Sequence, residues 1–194
     1  MEKPIPETYP ASYKGKLLLA TPDMSDPRFA RAVIYLCGHN ENGAMGLIIN
    51  KPKDNLHISD LLGRVGIEGN VRVADCPVLS GGPVDMDRGF VLHSEDYYKK
   101  NSSLIISDTL SLTSTKDILE ALVTDKAPQR AMLAVGYAGW DGGQLEAELA
   151  QNAWLVGQAD DALVFDDDLD GKWNKALSAM GIDPSVLAAS GGRA

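Results

Sequence analysis

The chain has 194 residues, with 18 Lys and Arg against 27 Asp and Glu, a formal net charge of −9 and a sequence pI near 4.7. With 44% hydrophobic and 23% charged residues it has ordinary globular composition, which excludes disordered and fibrous classes, and at about 150 residues per domain a single domain is expected. The longest uninterrupted apolar run, Ala32–Cys37, has six residues, whereas a membrane-spanning helix needs about 20.

The first ten residues carry Pro4, Pro6 and Pro10 and no apolar core segment, so they read as a loose arm over residues 1–15 rather than a signal peptide. That points to the cytoplasm, where Cys37 and Cys76 are expected to be reduced. Apolar stretches of strand length then recur, bounded by Gly, Pro, Asn or Asp: Leu17–Ala20, Ala32–Cys37, Gly46–Ile49, Val71–Ala74, Gly89–Leu92, Leu104–Ile106 and Ala131–Val135. Several do not alternate in polarity, as strands covered on both faces would read, so helices should pack over a sheet. Thr109–Thr113 does alternate and predicts a strand with one wet face.

Helical signals are interleaved. A short helix is expected from Ser59 through Val65. Ser114 followed by Asp117 resembles a capping box, with Ile118, Leu119, Leu122 and Val123 making one apolar face before Pro128. Leu145, Leu149 and Ala153 form an i, i+4, i+8 stripe after Gly142-Gly143. Trp173, Ala176, Leu177 and Met180 predict a helix ending at Gly181, and Asp183-Pro184 reads as N-cap and first residue of a terminal turn. No repeat or linker divides the chain, so residues 16–191 are expected to form one domain, with 192–194 a tail.

Three glycine-rich turns are the most specific features: Asn42–Gly46, Ser80–Pro83 and Gly136–Gly143. None has Walker or dinucleotide-binding spacing. A strand, a glycine loop and a helix start near residue 143 could hold an anion on free backbone N–H groups; glycines also serve simply as positive-φ residues in tight turns. The ligand-binding residues this suggests are Asn50, Ser80, Gly81, Gly82, Pro83, Gly139, Trp140, Gly143 and Gln144, with Trp140 able to stack on a ligand if it is partly exposed.

Other chemistry finds little purchase. Asp166-Asp167-Asp168-Leu169-Asp170-Gly171 begins like a calcium loop, but its twelfth position is Leu177 where a bidentate Glu is required. Cys37-Gly38-His39 is not an activated thiol if the strand stops at Cys37, as the following Gly and Asn residues suggest. Three scattered histidines give no zinc spacing, no serine lies in a G-x-S-x-G elbow, and Glu146 and Glu148 fall on different helix faces. No cofactor motif is present and no catalytic set is assigned.

The phrases Leu18–Met24, Gly43–Pro52, Gly81–Val84, Gly136–Trp140 and Gln144–Leu149, in this order and spacing, resemble the AlgH/YqgE family of bacterial proteins over nearly the whole chain, from about Lys16 to Gly191. The resemblance implies an α+β fold: a single domain with a barrel-like mixed β-sheet flanked by helices. It brings no agreed catalytic residues. Family members are often labelled transcriptional regulators, after one member's association with control of alginate production.

Three functions follow as expectations. The favoured one is a binding or regulatory module acting through contacts with a protein or small-molecule ligand. The second is a DNA-binding regulator, and the third an enzyme whose residues converge from distant segments such as Asn50, His93 and Gln144. Residues 1–140 hold 17 acids and 15 bases, a net of −2, and residues 141–194 hold 10 acids and 3 bases, a net of −7. With no basic stripe beyond the pairs Lys14/Lys16, Lys51/Lys53 and Lys99/Lys100, direct nucleic-acid binding lacks its usual electrostatic footing. Fluorescence anisotropy at about 0.15 M salt, where weak phosphate contacts are screened, should show no more binding to duplex DNA than an acidic control protein gives; sequence-specific submicromolar binding would reverse this reading.

Overall fold

The computed structural model describes residues 12–190. Ten strands form one curled, half-barrel sheet: β1 (Lys16–Ala20), β2 (Val33–Asn40), β3 (Gly43–Ile48), β4 (Pro52–His57), β5 (Pro77–Ser80), β6 (Val84–Ser94), β7 (Ser103–Ile105), β8 (Leu110–Thr113), β9 (Ala131–Asp141) and β10 (Trp154–Gln158). The helices are α1 (Ile58–Arg64), α2 (Lys116–Ala121), α3 (Gln144–Ala150), α4 (Asp161–Val164), α5 (Lys172–Ala179) and α6 (Pro184–Ser190). The main path runs β10-β1-β2-β3-β9-β6-β8-β7, with β5 joining β9 in parallel and β4 joining β5. All other pairs are antiparallel, so the sheet is mixed and the fold is α+β.

Both faces of the sheet are covered, which accounts for the non-alternating strands. Leu17, Leu19, Val33, Tyr35, Cys37, Leu47, Leu79 and Leu92 point to one face, where α4 and α5 close the core through Val164, Trp173, Ala176 and Leu177. On the opposite face Leu18, Ile34, Leu36 and Ile48 pack with Trp140, Trp154 and Leu145 of α3. Further along, Val78, Val91, Leu133 and Val135 pack under α1 and α2. A fully buried Leu or Ile is worth about 1.5–3 kcal/mol, and the two-sided arrangement collects that contribution from successive residues of a strand rather than from every second one.

β9 connects the two halves of the sheet. Its first half, through Val135, lies between β5 and β6, while its second half, Ala138–Asp141, pairs with β3. The change of partners occurs at Gly136, which has φ +74°. Here the Gly81-Gly82 turn crosses the strand so closely that a Cβ at Gly81 would overlap the Gly136 carbonyl oxygen, and one at Gly82 would overlap the Tyr137 carbonyl. Gly81 N–H donates to Val135 O at 2.9 Å, and Gly81 O accepts from Ile48 N–H at 2.9 Å, so the turn ties β3 to β9 where the ladder alone would gap.

Several expectations change. β2 does not stop at Cys37: it continues to Asn40 through a bulge between Leu36 and Gly38. The bulge shifts the side-chain alternation by one residue, so Cys37 points into the core while His39 turns to the α3 side. Residues 71–74 are not a strand; Val73 is buried and Arg72 N–H donates to Leu122 O, at the end of α2. All four residues of β8 are buried, the polar ones included. The N-cap of α2 is Thr115 rather than Ser114, whose hydroxyl accepts from Arg88 instead. Of the arm expected over 1–15, residues 1–11 lie outside the described residues, as does the tail 192–194. Residues 12–15 are held: Ser12 Oγ donates to His39 O at 3.1 Å and Gly15 N–H to Leu36 O at 2.8 Å.

Replacing Gly136 by Ala forces both a strained positive φ and an overlap with the Gly82 carbonyl oxygen, and should cost about 2–4 kcal/mol. Gly38→Ala, with ordinary φ and nothing within 4 Å of the added Cβ, should cost less than about 1 kcal/mol. Urea denaturation of the two variants measures the difference, and equal midpoints would show that the crossing tolerates a Cβ.

Candidate binding groove

The β2–β3 hairpin and the second half of β9 lie side by side, in register. One cross-strand row is Gly38–Met45–Gly139 and the next is Asn40–Gly43–Asp141. Three of these six positions are glycine, so the face rises little above its backbone, and an open groove of about 650 Å³ lies over it. Val84, Arg88, Phe90 and Tyr137 border it. β6 supplies that wall because it leaves the ladder: Val84 pairs with Tyr137 and Gly89 with Val135, and residues 85–88 bulge outward through Asp85 at φ +45°. Phe90 and Tyr137 meet edge to face at 5.7 Å, and the Arg88 guanidinium stands 5.2 Å over the Phe90 ring.

Under the groove the polar groups of α3 are already engaged. The His39 ring has a 4% exposed side chain, and its Nε2 lies 2.7 Å from Glu146 Oε1. Its Nδ1 accepts from Tyr13 N–H at 3.0 Å. A ring nitrogen that accepts carries no proton, so the hydrogen sits on Nε2 and is donated to Glu146. The carboxyl of Glu146 is held below the usual carboxylate range, first by its own main-chain N–H and then by His39. Glu148 Oε2 accepts from the indole N–H groups of Trp140 at 2.9 Å and Trp154 at 2.7 Å, and its Oε1 accepts from Gln144 Nε2 at 2.9 Å.

Of the residues expected to bind a ligand, Gly139 and Trp140 border the groove. Trp140 is 7% exposed, packed edge to face on Trp154 and bonded to Glu148, so its ring has no face left for stacking. Gly81, Gly82 and Pro83 stand beside Tyr137, in the same neighbourhood as Gly139, but the two glycines are buried in the strand crossing. Ser80 belongs to β5, where its N–H donates to Lys51 O. Gly143 is the N-cap of α3, with φ +78°, and Gln144 Oε1 accepts from Asp141 N–H. Asn50 is elsewhere: its Oδ1 accepts from Val33 N–H and its Nδ2 donates to Arg31 O, both at 2.9 Å, as a neighbouring strand would.

The dispersed trio does not converge either. His93 is wholly buried, donating from Nδ1 to Ser94 O at 2.9 Å and accepting at Nε2 from Thr113 Oγ1 at 2.8 Å, and burial lowers its pKa. Asn50, His93 and Gln144 share no hydrogen-bond partner. Cys37 is buried and its thiol pushed up to about 12 by burial, so it is an inert core residue. In the aspartate run, the carboxylates of Asp166 and Asp168 lie 2.7 and 3.1 Å from Lys175 Nζ. Sequence reasoning missed Gly38, Met45, Val84, Arg88, Phe90 and Tyr137 of the groove. The available signal was the alternation of Arg88 and Phe90 on one strand face; Gly38 was hidden by being read as a strand end.

A curled mixed sheet with helices on both faces, crossed by paired glycines at β9, defines the class of protein, and the comparisons agree. The family model described as AlgH-like (DUF179) matches residues 17–185. The UPF0301 protein of Ruegeria pomeroyi is 54% identical over 181 residues, covering 93% of this chain and 98% of its own, and that of Caulobacter vibrioides is 46% identical, covering 93% of each. The solution structure of the AlgH protein from Pseudomonas aeruginosa superposes with a TM-score of 0.75 at 38% identity, over 98% of this chain and all of that one. A Corynebacterium diphtheriae protein, at 19% identity and a TM-score of 0.69, shares the fold. The chain belongs to the AlgH-like family. Among the described residues, no helix is long and apolar enough to cross a membrane.

Glu148 satisfies two indole donors that are otherwise buried. Glu148→Ala should cost about 2–4 kcal/mol, since each buried donor left unpaired costs about 1–3, with a red shift of tryptophan fluorescence. Glu148→Gln, which keeps one acceptor oxygen, should lose less than half as much. Equal losses by thermal or urea melts would mean that volume, not hydrogen bonding, sets the contribution.

Proposed function

We propose that this protein is a binding module, with a regulatory role exercised through protein or small-ligand contacts, and that its recognition surface is the glycine-floored groove. The observation that carries the reading is the triplet Gly38, Gly43 and Gly139 beneath an open volume of about 650 Å³. Pockets of about 300–1,000 Å³ with apolar walls and a few polar groups are the usual form of ligand sites. Met45, Val84, Phe90 and Tyr137 supply apolar contact, while Arg88, Asn40, Asn42 and Asp141 supply directional groups.

The same geometry favours binding over catalysis. His39 and Glu146 are spent on each other and on Tyr13, so the groove is offered contacts rather than a mobile proton. Arg88 and Asp141 of opposite charge share the lining, which suits a mixed ligand better than a phosphate backbone. The regulator label attached to the family would then act through such contacts.

Gly38→Leu fills the groove from a position where the added Cβ meets nothing within 4 Å. In a ¹⁵N-labelled protein screened with small polar-aromatic fragments and short extended peptides, binders should move the amide signals of Gly38, Gly43 and Gly139. The leucine variant should bind them at least about tenfold more weakly, a change of roughly 1.4 kcal/mol, with its melting temperature nearly unchanged. Binders that map elsewhere, or affinities indifferent to the substitution, would remove the groove as the site.

A further inference from the structure

At the opposite end of β9, beside Ala131 and Met132, and sharing no lining residue with the groove, lies a small cavity of about 50 Å³. Leu79, Met132 and Phe165 form apolar walls, Cys76 and Asp167 also line it, and so does Lys172, the first residue of α5. Lys172 is 0% exposed. Its Nζ donates to Val164 O at 2.8 Å and to Ile49 O at 3.1 Å. Neither is a carboxylate. The neighbouring acids Asp166 and Asp168 are paired with Lys175, and no described carboxylate lies within ion-pair distance of Lys172 Nζ.

Two carbonyl acceptors match the two hydrogens of a neutral amine and leave the third position on nitrogen without a protein partner. In the ammonium form that position is a buried N–H with no acceptor, which is costly; in the neutral form it is a lone pair. We propose that Lys172 captures small uncharged aldehydes in this cavity as an imine. The nitrogen lone pair forms the N–C bond as the C=O π pair moves to oxygen, which takes one amine hydrogen; with one further proton from solvent the carbinolamine oxygen leaves as water, and the protonated imine at Nζ keeps one N–H for a carbonyl acceptor. No oxidant or reductant is needed.

Burial lowers the Lys172 pKa to about 8, so a useful fraction of the amine is neutral near pH 7.5. Burial raises the pKa of the Cys76 thiol, with Asp167 and Asp75 adding to the effect, so the amine rather than the sulfur is the cavity's nucleophile. The volume admits a molecule of about three or four heavy atoms. Asp166 and Asp167 at the lining disfavour anionic keto acids.

The test uses the full chain at pH 7.5 with propanal and sodium cyanoborohydride, with adducts located by peptide mass spectrometry. Lys172 should be alkylated at least about tenfold faster than exposed Lys53 or Lys126, because more of it is neutral. Its rate should level off above about pH 8 while the rates of exposed lysines keep rising. Glyoxylate, an anionic aldehyde, should label Lys172 at least about tenfold less than propanal. Lys172→Met should abolish the fast adduct, and the wild-type pH profile supplies an independent readout if that variant fails to fold. Labelling of Lys172 only after urea unfolding, a pH profile like that of Lys126, or equal labelling by glyoxylate would overturn the proposal and leave Lys172 as a structural bracket between β3 and α4.

Discussion

The fold depends on one close contact: the backbone of Gly81-Gly82 lying directly on the backbone of Gly136–Ala138. β9 must serve two partners in succession, β5 for its first half and β3 for its second, and a flat ladder cannot make that exchange without a gap. Without Cβ atoms at the crossing, the turn after β5 sits in the gap and hydrogen-bonds to both sides, Ile48 on one and Val135 on the other. Because β9 bends at Gly136, its terminal residues swing beside the β2–β3 hairpin, and β6 cannot follow. The outward bulge at residues 85–88 results, and with it the wall that turns a bare sheet face into a groove.

A second consequence concerns α3. This seven-residue helix is too short to be stable by itself, yet it is fastened by side chains pointing back into the sheet. Glu146 reaches His39, Glu148 reaches two indoles, and Leu145 is buried among them. The carboxylates that looked, at i and i+2, like failed catalytic partners are hydrogen-bond acceptors for two different parts of the layer beneath. The bulge at Gly38 makes this possible, since it brings His39 to the α3 side while keeping Cys37 in the core.

Much of this architecture was legible in the residues. Runs such as Ala32–Cys37 announced strands buried on both sides, and the stripe at Trp173, Ala176 and Leu177 announced α5, whose end at Gly181 has φ +75°. What was not legible has physical causes. β4 reads Pro-Lys-Asp-Asn-Leu-His, mostly exposed, with a register break and Asn55 at φ +52°; it is a strand because β5 offers it an edge, not because of its own side chains. β8 can bury Thr113 because its hydroxyl bonds His93 of β6 and Ser103 of β7. The glycine turns were visible as unusual, but a single sequence does not reveal whether a glycine is needed to admit another backbone, as at Gly82, or to leave open space, as at Gly38. The groove floor holds both kinds, since a Cβ at Gly43 would overlap the Trp140 carbonyl oxygen while one at Gly38 would meet nothing.

The C-terminal acidity has a comparable local explanation. Asp160 accepts from Ala162 N–H at the start of α4, and Asp183 accepts from Ser185 N–H at the start of α6. Asp168 accepts from Gly171 N–H before α5, and Asp161 accepts from Thr109 and pairs with Arg130. Asp166 and Asp168 share Lys175. A region of short helices has many unpaired N–H groups per residue, because each helix leaves its first turn unsatisfied, and aspartate is among the best side chains for supplying the missing acceptor. The net of −7 over residues 141–194 therefore arises largely from helix starts and local pairs rather than from a surface shaped to attract a cationic partner. Overall charge is then a poor guide to what this protein binds, and the distinction between one patch and another has to come from shape: a glycine floor at one end of β9, and a buried amine beside the other.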